Sequence, residues 1–233
     1  MAKDVIIALD FPDRTTTLKF LDQFQEEKPY VKIGMELYYA EGPQMVREIK
    51  ARGHKIFLDL KLHDIPNTVS GAVRSIRGLG VDMMNLHAGG GIAMMKAAAD
   101  ALKDTDGVPP QLIAVTILTS LNQEALENEV WVNRKVEDAV LHYAGNAKVA
   151  GLDGVVCSPL EAGKVHERLG CDFLTVTPGV RFASNDTGDQ QRVTTPKKAN
   201  ELGSDYIVVG RPITKAEDAV MAYRRCMNEF LNI

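Results

Sequence analysis

The stretch FLDLKLHDIPNTV, residues 57–69, sets Asp59, Lys61 and Asp64 within six positions, just ahead of Pro66. In an extended strand successive side chains point to opposite faces, so Phe57, Asp59 and Lys61 share one face and Leu58, Leu60 and Leu62 the other. An acid and a base then stand side by side at a strand end. Carboxylates flanking an ammonium favour its charged form and aim it. Such a lysine stabilises developing negative charge and also carries a proton to deliver, which arginine, effectively never deprotonated, does not. A buried salt bridge uses the same residue types, so the pair is either structural or a reaction centre.

The elements that position this cluster are legible along the chain. Apolar, often β-branched runs recur as DVIIALD, YVKIGMEL, KIFLDLK, DMMNLHA, QLIAVTIL, GVVCS, FLTVTPG and YIVVGR, which makes eight strand candidates. Between most of them lie stretches of helical periodicity, among them TTTLKFLDQFQEE, EGPQMVREIKARG and GIAMMKAAADALK, and KAEDAVMAYRRCMNEF follows the last. Strand and helix alternating in this way predict parallel strands with crossover helices. Eight units in 233 residues predict an α/β fold, a single (β/α)8 TIM barrel spanning residues 1–233 as one catalytic domain. The widest gap between strands leaves room for an excursion, SLNQEALENEVWVNRK, before the helix VEDAVLHYAGNAKVAG. The loop FASNDTGDQQ after the seventh strand has the polar, glycine-containing composition of a lid.

In such a barrel the active site is built at the C-terminal ends of the strands. Asp10 ends the first strand, Lys32 lies on the second with Val31, Ile33 and Met35 on its opposite face, and Asp59 and Lys61 end the third. Asn85 and His87 end the fourth, and Thr119 follows the fifth. A charge network that merely fills the barrel top is the plain alternative, but buried ion pairs are weak stabilisers and perturbed groups cluster at functional sites. The seventh and eighth strands end in VTPGVR and VVGRPI, placing Gly179, Arg181, Gly210 and Arg211 in the loops that often hold phosphate. Glycine admits backbone N–H groups close to an anion, and arginine offers a planar fork of donors. Gln190 on the polar loop adds a further donor; an exposed turn with ordinary surface arginines is the alternative.

Composition narrows the partners. A net charge of −4 with 25% charged residues carries no basic excess pointing to nucleic acid or an anionic membrane, and the 45% apolar fraction is ample for a core. No segment approaches the roughly 18 apolar residues of a membrane helix, and the N-terminal apolar run is too short for a signal peptide. Three cysteines, Cys157, Cys171 and Cys226, show no CxxC spacing, which suits a reducing, cytoplasmic setting without a disulfide framework or zinc site. His87 reads as a strand histidine hydrogen-bonded within the barrel or as an acid–base group, and His54, His142 and His166 read as surface residues. HAGGG reads as a strand-to-helix turn or a phosphate loop without the P-loop lysine. Met83, Met84, Met94 and Met95 read as core. No metal or nucleotide-cofactor motif is present.

FLDLKLHDIPNTV closely resembles the signature of the orotidine 5′-monophosphate decarboxylase family, whose core is Asp-x-Lys-x-x-Asp, here Asp59, Lys61 and Asp64. The resemblance runs from IIALD through VKIGMELY and VTPGVR to IVVGRPIT, nearly the whole chain, and is to the bacterial form. It implies a carboxy-lyase of pyrimidine nucleotide synthesis that converts orotidine 5′-monophosphate to uridine 5′-monophosphate and CO2 with no cofactor and no metal. It implies Lys61 as the donor of a proton to C6, Asp59 beside the substrate carboxylate, and Asp64 supplied by the partner subunit of a cytoplasmic homodimer. Asp10 and Lys32 match positions that bind ribose and support the charge network, with Lys32 counted among the catalytic residues. Ile65, Thr68, Thr119, Arg181, Gln190 and Gly210 match substrate-binding positions, with Arg211 the chief phosphate ligand; loop spacing favours Gln190 over Gln191.

Two rival readings remain. A sugar-phosphate decarboxylase or aldolase of the same barrel superfamily uses the same acid–lysine–acid pattern with a divalent metal. A non-enzymatic barrel that binds a nucleotide would have no need of Asp59 beside a carboxylate that uridine 5′-monophosphate lacks.

Overall fold

The computed structural model describes residues 3–103, 107–182 and 193–233. Strands β1 (Asp4–Ala8), β2 (Tyr30–Gly34), β3 (Ile56–Leu62), β4 (Met83–His87), β5 (Gln111–Val115), β6 (Gly154–Val156), β7 (Leu174–Thr177) and β8 (Tyr206–Val209) each fall within a run read as a strand, except that β3 runs one residue past KIFLDLK to Leu62. They pair in parallel in chain order, and β8 pairs with β1 to close the barrel. Closure removes both sheet edges and leaves a packed interior.

Each strand faces two cores, because its side chains alternate. Ile6, Tyr30, Phe57, Met83, Ile113 and Val176 pack together inside the barrel. Val5, Ile7, Val31, Ile33, Ile56 and Leu58 turn outward into the larger core beneath the helices. Fully burying one such side chain contributes about 1.5–3 kcal/mol, so a one-residue slip that exchanged the faces would be strongly disfavoured. The same parity, continued two residues toward the C-terminal end, carries Lys32 beyond Tyr30, Asp59 beyond Phe57 and Asn85 beyond Met83 to the barrel mouth.

The helices follow local signals. Asp13 caps α1 (Arg14–Leu21) by accepting from Thr16 N–H at 2.7 Å, and Pro66 opens α3 (Pro66–Arg77), where its missing N–H is no loss. α4 (Gly91–Lys103) coincides with GIAMMKAAADALK, and its Met94 and Met95 are buried in the same outer core as β4's Met84, while Met83 lies inside the barrel. Within the excursion Asn122 caps α5 (Gln123–Asn128), ahead of α6 (Val136–Val149). A capping box of Ser158 and Glu161 opens α7 (Pro159–Leu169), and Thr195 caps α8 (Pro196–Glu201). The short α9 (Arg211–Thr214) and α10 (Ala219–Leu231) complete the order. No described helix is long and apolar enough to cross a membrane.

Several boundaries differ from the sequence reading. YVKIGMEL is not strand throughout: β2 stops at Gly34, and Met35 begins α2 (Met35–Ala51) instead of continuing the outward face. α2 starts six residues before EGPQMVREIKARG and is kinked at Gly42 (φ 66°), ahead of Pro43, where the ring removes a helical donor. α1 ends at Leu21, well short of Glu27, and α10 begins only after Asp218, whose side chain accepts from Met221 N–H. HAGGG is a turn: a short 3-10 segment, Ala88–Gly90, leads straight into α4. Of the histidines read as surface residues only His142 is exposed. His54 is buried with Nδ1 2.9 Å from the Pro29 carbonyl, and the part-buried His166 lies 3.0 Å from Asp205.

Candidate active site

The acid–lysine cluster lies at the C-terminal mouth of the barrel. Lys61 Nζ is 2.6 Å from Asp59 Oδ1, Lys32 Nζ is 3.4 Å from Asp59 Oδ2, and Lys32 Nζ donates to Asp10 Oδ1 at 3.0 Å. Asp59 is thus shared between two ammonium groups from neighbouring strands. Burial alone would raise its carboxyl, but Lys32 and Lys61, with hydrogen bonds from Lys61 and Asn85, hold it below the ordinary aspartate value. Burial would likewise lower the Lys32 ammonium, and Asp59 and Asp10 more than offset that, leaving it above the usual lysine value.

The alternation that puts Lys61 on the face of Asp59 is interrupted by a bulge. The β3–β4 pairing runs Leu58↔Met84 and then Leu62↔Leu86, so β3 advances four residues while β4 advances two. Lys61 takes φ 53° there, a left-handed conformation that costs a non-glycine residue on the order of 1–3 kcal/mol. The Asn85 side chain spans the bulge: its Oδ1 accepts from Lys61 N–H at 2.8 Å and its Nδ2 donates to Asp59 Oδ1 at 2.7 Å. Strand pattern alone collected Asn85 at the mouth, but its two bonds depend on a register no periodicity reveals.

Two adjoining cavities share Lys32, Pro178 and Val208. One, of about 210 Å³, combines Lys32, Asp59, Lys61 and Asn85 with Thr119 and an apolar wall of Phe57, Val115, Val156 and Val176. The other, of about 420 Å³, is lined by Asp10, Lys32, Gly179, Arg181, Gly210, Arg211 and Lys215. Among the described residues, four cationic side chains stand against one carboxylate there, which suits an anionic group. Gly179 takes φ 80°, which favours glycine, and Gly210 leads into α9 beside Arg211. Lys215, the C-cap of α9, also lines this cavity; in the sequence it only opens KAEDAVMAYRRCMNEF, a stretch of helical periodicity past the strand end. A larger groove of about 700 Å³ opens at the opposite end of the barrel among Tyr30, Arg74, Asp82 and Tyr206. It contains none of Asp10, Lys32, Asp59 or Lys61, so charge pairing rather than size singles out the mouth.

Other expected residues fall in different places. Asp64 and Ile65 on the approach to α3 and Thr68 in its first turn are exposed, and Asp64 Oδ1 accepts from Ile65 N–H at 2.6 Å rather than meeting Lys61. His87 makes no part of either cavity; its ring lies 5.5 Å from that of His63, and burial followed by His63 and Lys61 holds its pKa below the ordinary histidine value. Gln190, Gln191 and most of FASNDTGDQQ lie outside the described residues. The chain on either side of that stretch is tied together, with Arg181 N–H donating to the Thr194 carbonyl at 2.9 Å and Thr194 N–H to the Gly179 carbonyl at 3.2 Å.

A residue the sequence reading passed over is Gly34. A Cβ built there would stand 2.9 Å from Lys32 Nζ and 3.2 Å from Asp10 Oδ1. Gly34→Ala is expected to push the Lys32 ammonium off its acids at little cost to the fold, because the far end of a lysine yields easily. The melting temperature should move by less than about 4 °C, while kcat/KM for the proposed substrate falls by about tenfold or more. An unchanged kcat/KM would show that Lys32 need not hold this position.

Residues 3–226 match the model of the "Orotidine 5'-phosphate decarboxylase / HUMPS family". The chain belongs to that family. It is 54% identical over 227 residues to proteins named orotidine 5'-phosphate decarboxylase from Bacillus anthracis and Bacillus cytotoxicus, a span covering 96% of this chain and 95% of each relative. Among solved structures it resembles an orotidine 5'-phosphate decarboxylase from Lactobacillus acidophilus, with a TM-score of 0.87, 43% identity and coverage of 98% and 99% of the two chains. An uncharacterized conserved protein from Geobacillus kaustophilus matches with a TM-score of 0.86 and 45% identity over 97% of this chain and 99% of that one.

Proposed function

We propose that this chain, acting as one catalytic barrel, decarboxylates orotidine 5′-monophosphate to uridine 5′-monophosphate and CO2 with neither metal nor organic cofactor. The observation that carries the reading is the division of the mouth into an apolar-walled cavity holding Asp59 and Lys61 and an adjoining cationic cavity holding Arg181 and Arg211. A pyrimidine fits the first, a phosphate the second, and Asp10 with Lys32 at the junction suits the ribose. Thr119 adds a polar contact at the apolar cavity, and Gly210 allows close approach at the cationic one.

Loss of CO2 leaves an electron pair in an sp² orbital at C6 that cannot delocalise into the ring. The Lys61 ammonium offsets that charge as it develops and then protonates the carbon, an interaction stronger in the transition state than in the ground state. Asp59, held ionised by Lys32 and Lys61, fixes the ammonium and lies beside the departing carboxylate. The phosphate is remote from C6 and supplies binding energy, with Gln190 proposed as a further donor to it.

The metal-dependent sugar-phosphate reading is less well supported. Asp59 already meets Lys61 and Asn85 through Oδ1 and Lys32 through Oδ2, so lysines occupy the directions a divalent ion would take. Assays with orotidine 5′-monophosphate in excess EDTA, and with sugar phosphates plus magnesium, discriminate the two. Turnover of the nucleotide in EDTA is the expected result, and turnover of only the sugar phosphates would overturn the proposal.

The proposal includes a cytoplasmic homodimer with shared sites. Asp64 stays away from its own Lys61 and is followed by Ile65, an apolar side chain 67% exposed, which suits contact with a second copy that carries Asp64, Ile65 and Thr68 to its neighbour's mouth. Mixing Lys61→Ala with Asp64→Ala subunits should restore about a quarter of wild-type activity, because each mixed dimer rebuilds one intact site. No recovery after verified subunit exchange would contradict a shared site.

A further inference from the structure

Asn85 carries an assignment beyond the roles given above. It is 1% exposed, so water cannot replace its partners, and it uses both ends of one amide. Its oxygen receives the N–H of Lys61 at the left-handed bulge, and its nitrogen donates to the Asp59 oxygen that also meets Lys61 Nζ. Only this orientation of the amide satisfies both neighbours, since an N–H needs an acceptor and a carboxylate needs a donor. The three bonds form a closed circuit from the Lys61 backbone through Asn85 and Asp59 to the Lys61 ammonium.

We infer that Asn85 is a positioning residue for the proposed decarboxylation, clamping the Lys61 backbone and the Asp59 carboxylate together so that the ammonium is held at a fixed angle to the reacting carbon. The inference rests on the decarboxylase reading and adds a group that touches neither C6 nor phosphate. It acts through Lys61 and Asp59, so it governs kcat far more than KM, whose binding energy comes from the cationic cavity.

Aspartate at this position makes a discriminating probe. When protonated it has the shape of asparagine and the same pairing, a carbonyl to accept from Lys61 N–H and an O–H to donate to Asp59. When ionised it keeps the first bond and sets a like charge against Asp59, which also raises its own pKa. The charged and titratable groups around it are Asp10 just beyond β1, Lys32 from β2, Asp59 and Lys61 from β3, His63 from the loop that follows and His87 from β4; Val115 of β5 brings none to the cavity. These titrate in the wild type as well, so the ratio of variant to wild-type kcat isolates the introduced carboxyl.

The test measures kcat and KM for orotidine 5′-monophosphate, and affinity for uridine 5′-monophosphate, from pH 5 to 9 in wild type, Asn85→Ala and Asn85→Asp. For Asn85→Ala the expected result is a kcat at least about tenfold lower, with KM and product affinity within about threefold of wild type. For Asn85→Asp the kcat ratio should be highest at the acid end and fall as pH rises. A ratio flat with pH, or an Asn85→Ala kcat within about twofold of wild type, would overturn the inference. Should Asn85→Ala fail to fold, the pH series of Asn85→Asp decides alone. An inactive wild type overturns the decarboxylase reading itself, a result distinct from an active wild type with indifferent Asn85 variants.

Discussion

Replacing Lys61 with alanine lowers decarboxylation of orotidine 5′-monophosphate by at least about 10⁴-fold, while affinity for uridine 5′-monophosphate stays within an order of magnitude. Two contributions are lost together. A preorganised donor aimed at developing charge is worth roughly 10²–10³ in rate, and a positioned general acid roughly 10²–10⁴. No neighbour substitutes: Lys32 is already engaged by Asp10 and Asp59, and Asn85 carries no transferable proton at neutral pH. The fold should survive, because Asp59 keeps Lys32 and Asn85 as partners and the Lys61 side chain is a quarter exposed. Single-turnover kinetics with product-binding titrations check this, and residual activity within about 100-fold of wild type would remove Lys61 from its role.

Replacing Arg211 with alanine weakens substrate binding by about 2–4 kcal/mol, as expected for loss of a charge-assisted contact to phosphate, or roughly 30- to 1,000-fold. Arg211 stands at the first turn of α9 with Arg181 and Lys215 in the same cavity, so the site keeps positive charge but loses a planar fork. The loss should appear in KM for orotidine 5′-monophosphate and in the affinity for uridine 5′-monophosphate, and be much smaller for the nucleoside lacking phosphate. Equal losses for nucleoside and nucleotide would detach Arg211 from the phosphate.

The barrel was legible because its signals are local and redundant. Each strand is an apolar run, strand and helix alternate, and the terminal positions Asp10, Lys32, Asp59, Gly179, Arg181, Gly210 and Arg211 can be counted off the strand ends. What stayed hidden depends on pairing between elements. The bulge at Lys61 has no mark in the period-two pattern, since KLHD reads equally well as strand or turn, and the Asn85 clamp needs the β3–β4 register to exist. Gly34 matters through the reach of Lys32 toward Asp10, and Lys215 through its place at the C-terminal end of the short α9, which returns it to the cavity lined by Gly210 and Arg211. The kink at Gly42 and Pro43 divides α2 where the sequence pattern showed only its second half. Asp64, Ile65 and Thr68 are exposed and line neither mouth cavity, so the sequence pattern alone did not place them at the site.

The most direct measurement of the central claim follows the fate of C6. Wild type and Lys61→Ala are incubated with orotidine 5′-monophosphate in D2O containing excess EDTA, and the product is read by proton NMR. The ammonium hydrogens of Lys61 exchange with solvent, so wild-type uridine 5′-monophosphate should carry deuterium at C6 and form at an undiminished rate without metal, with almost no product from Lys61→Ala. Deuterated product from Lys61→Ala at a comparable rate, or wild-type turnover that returns only when a divalent metal is added back, would contradict it.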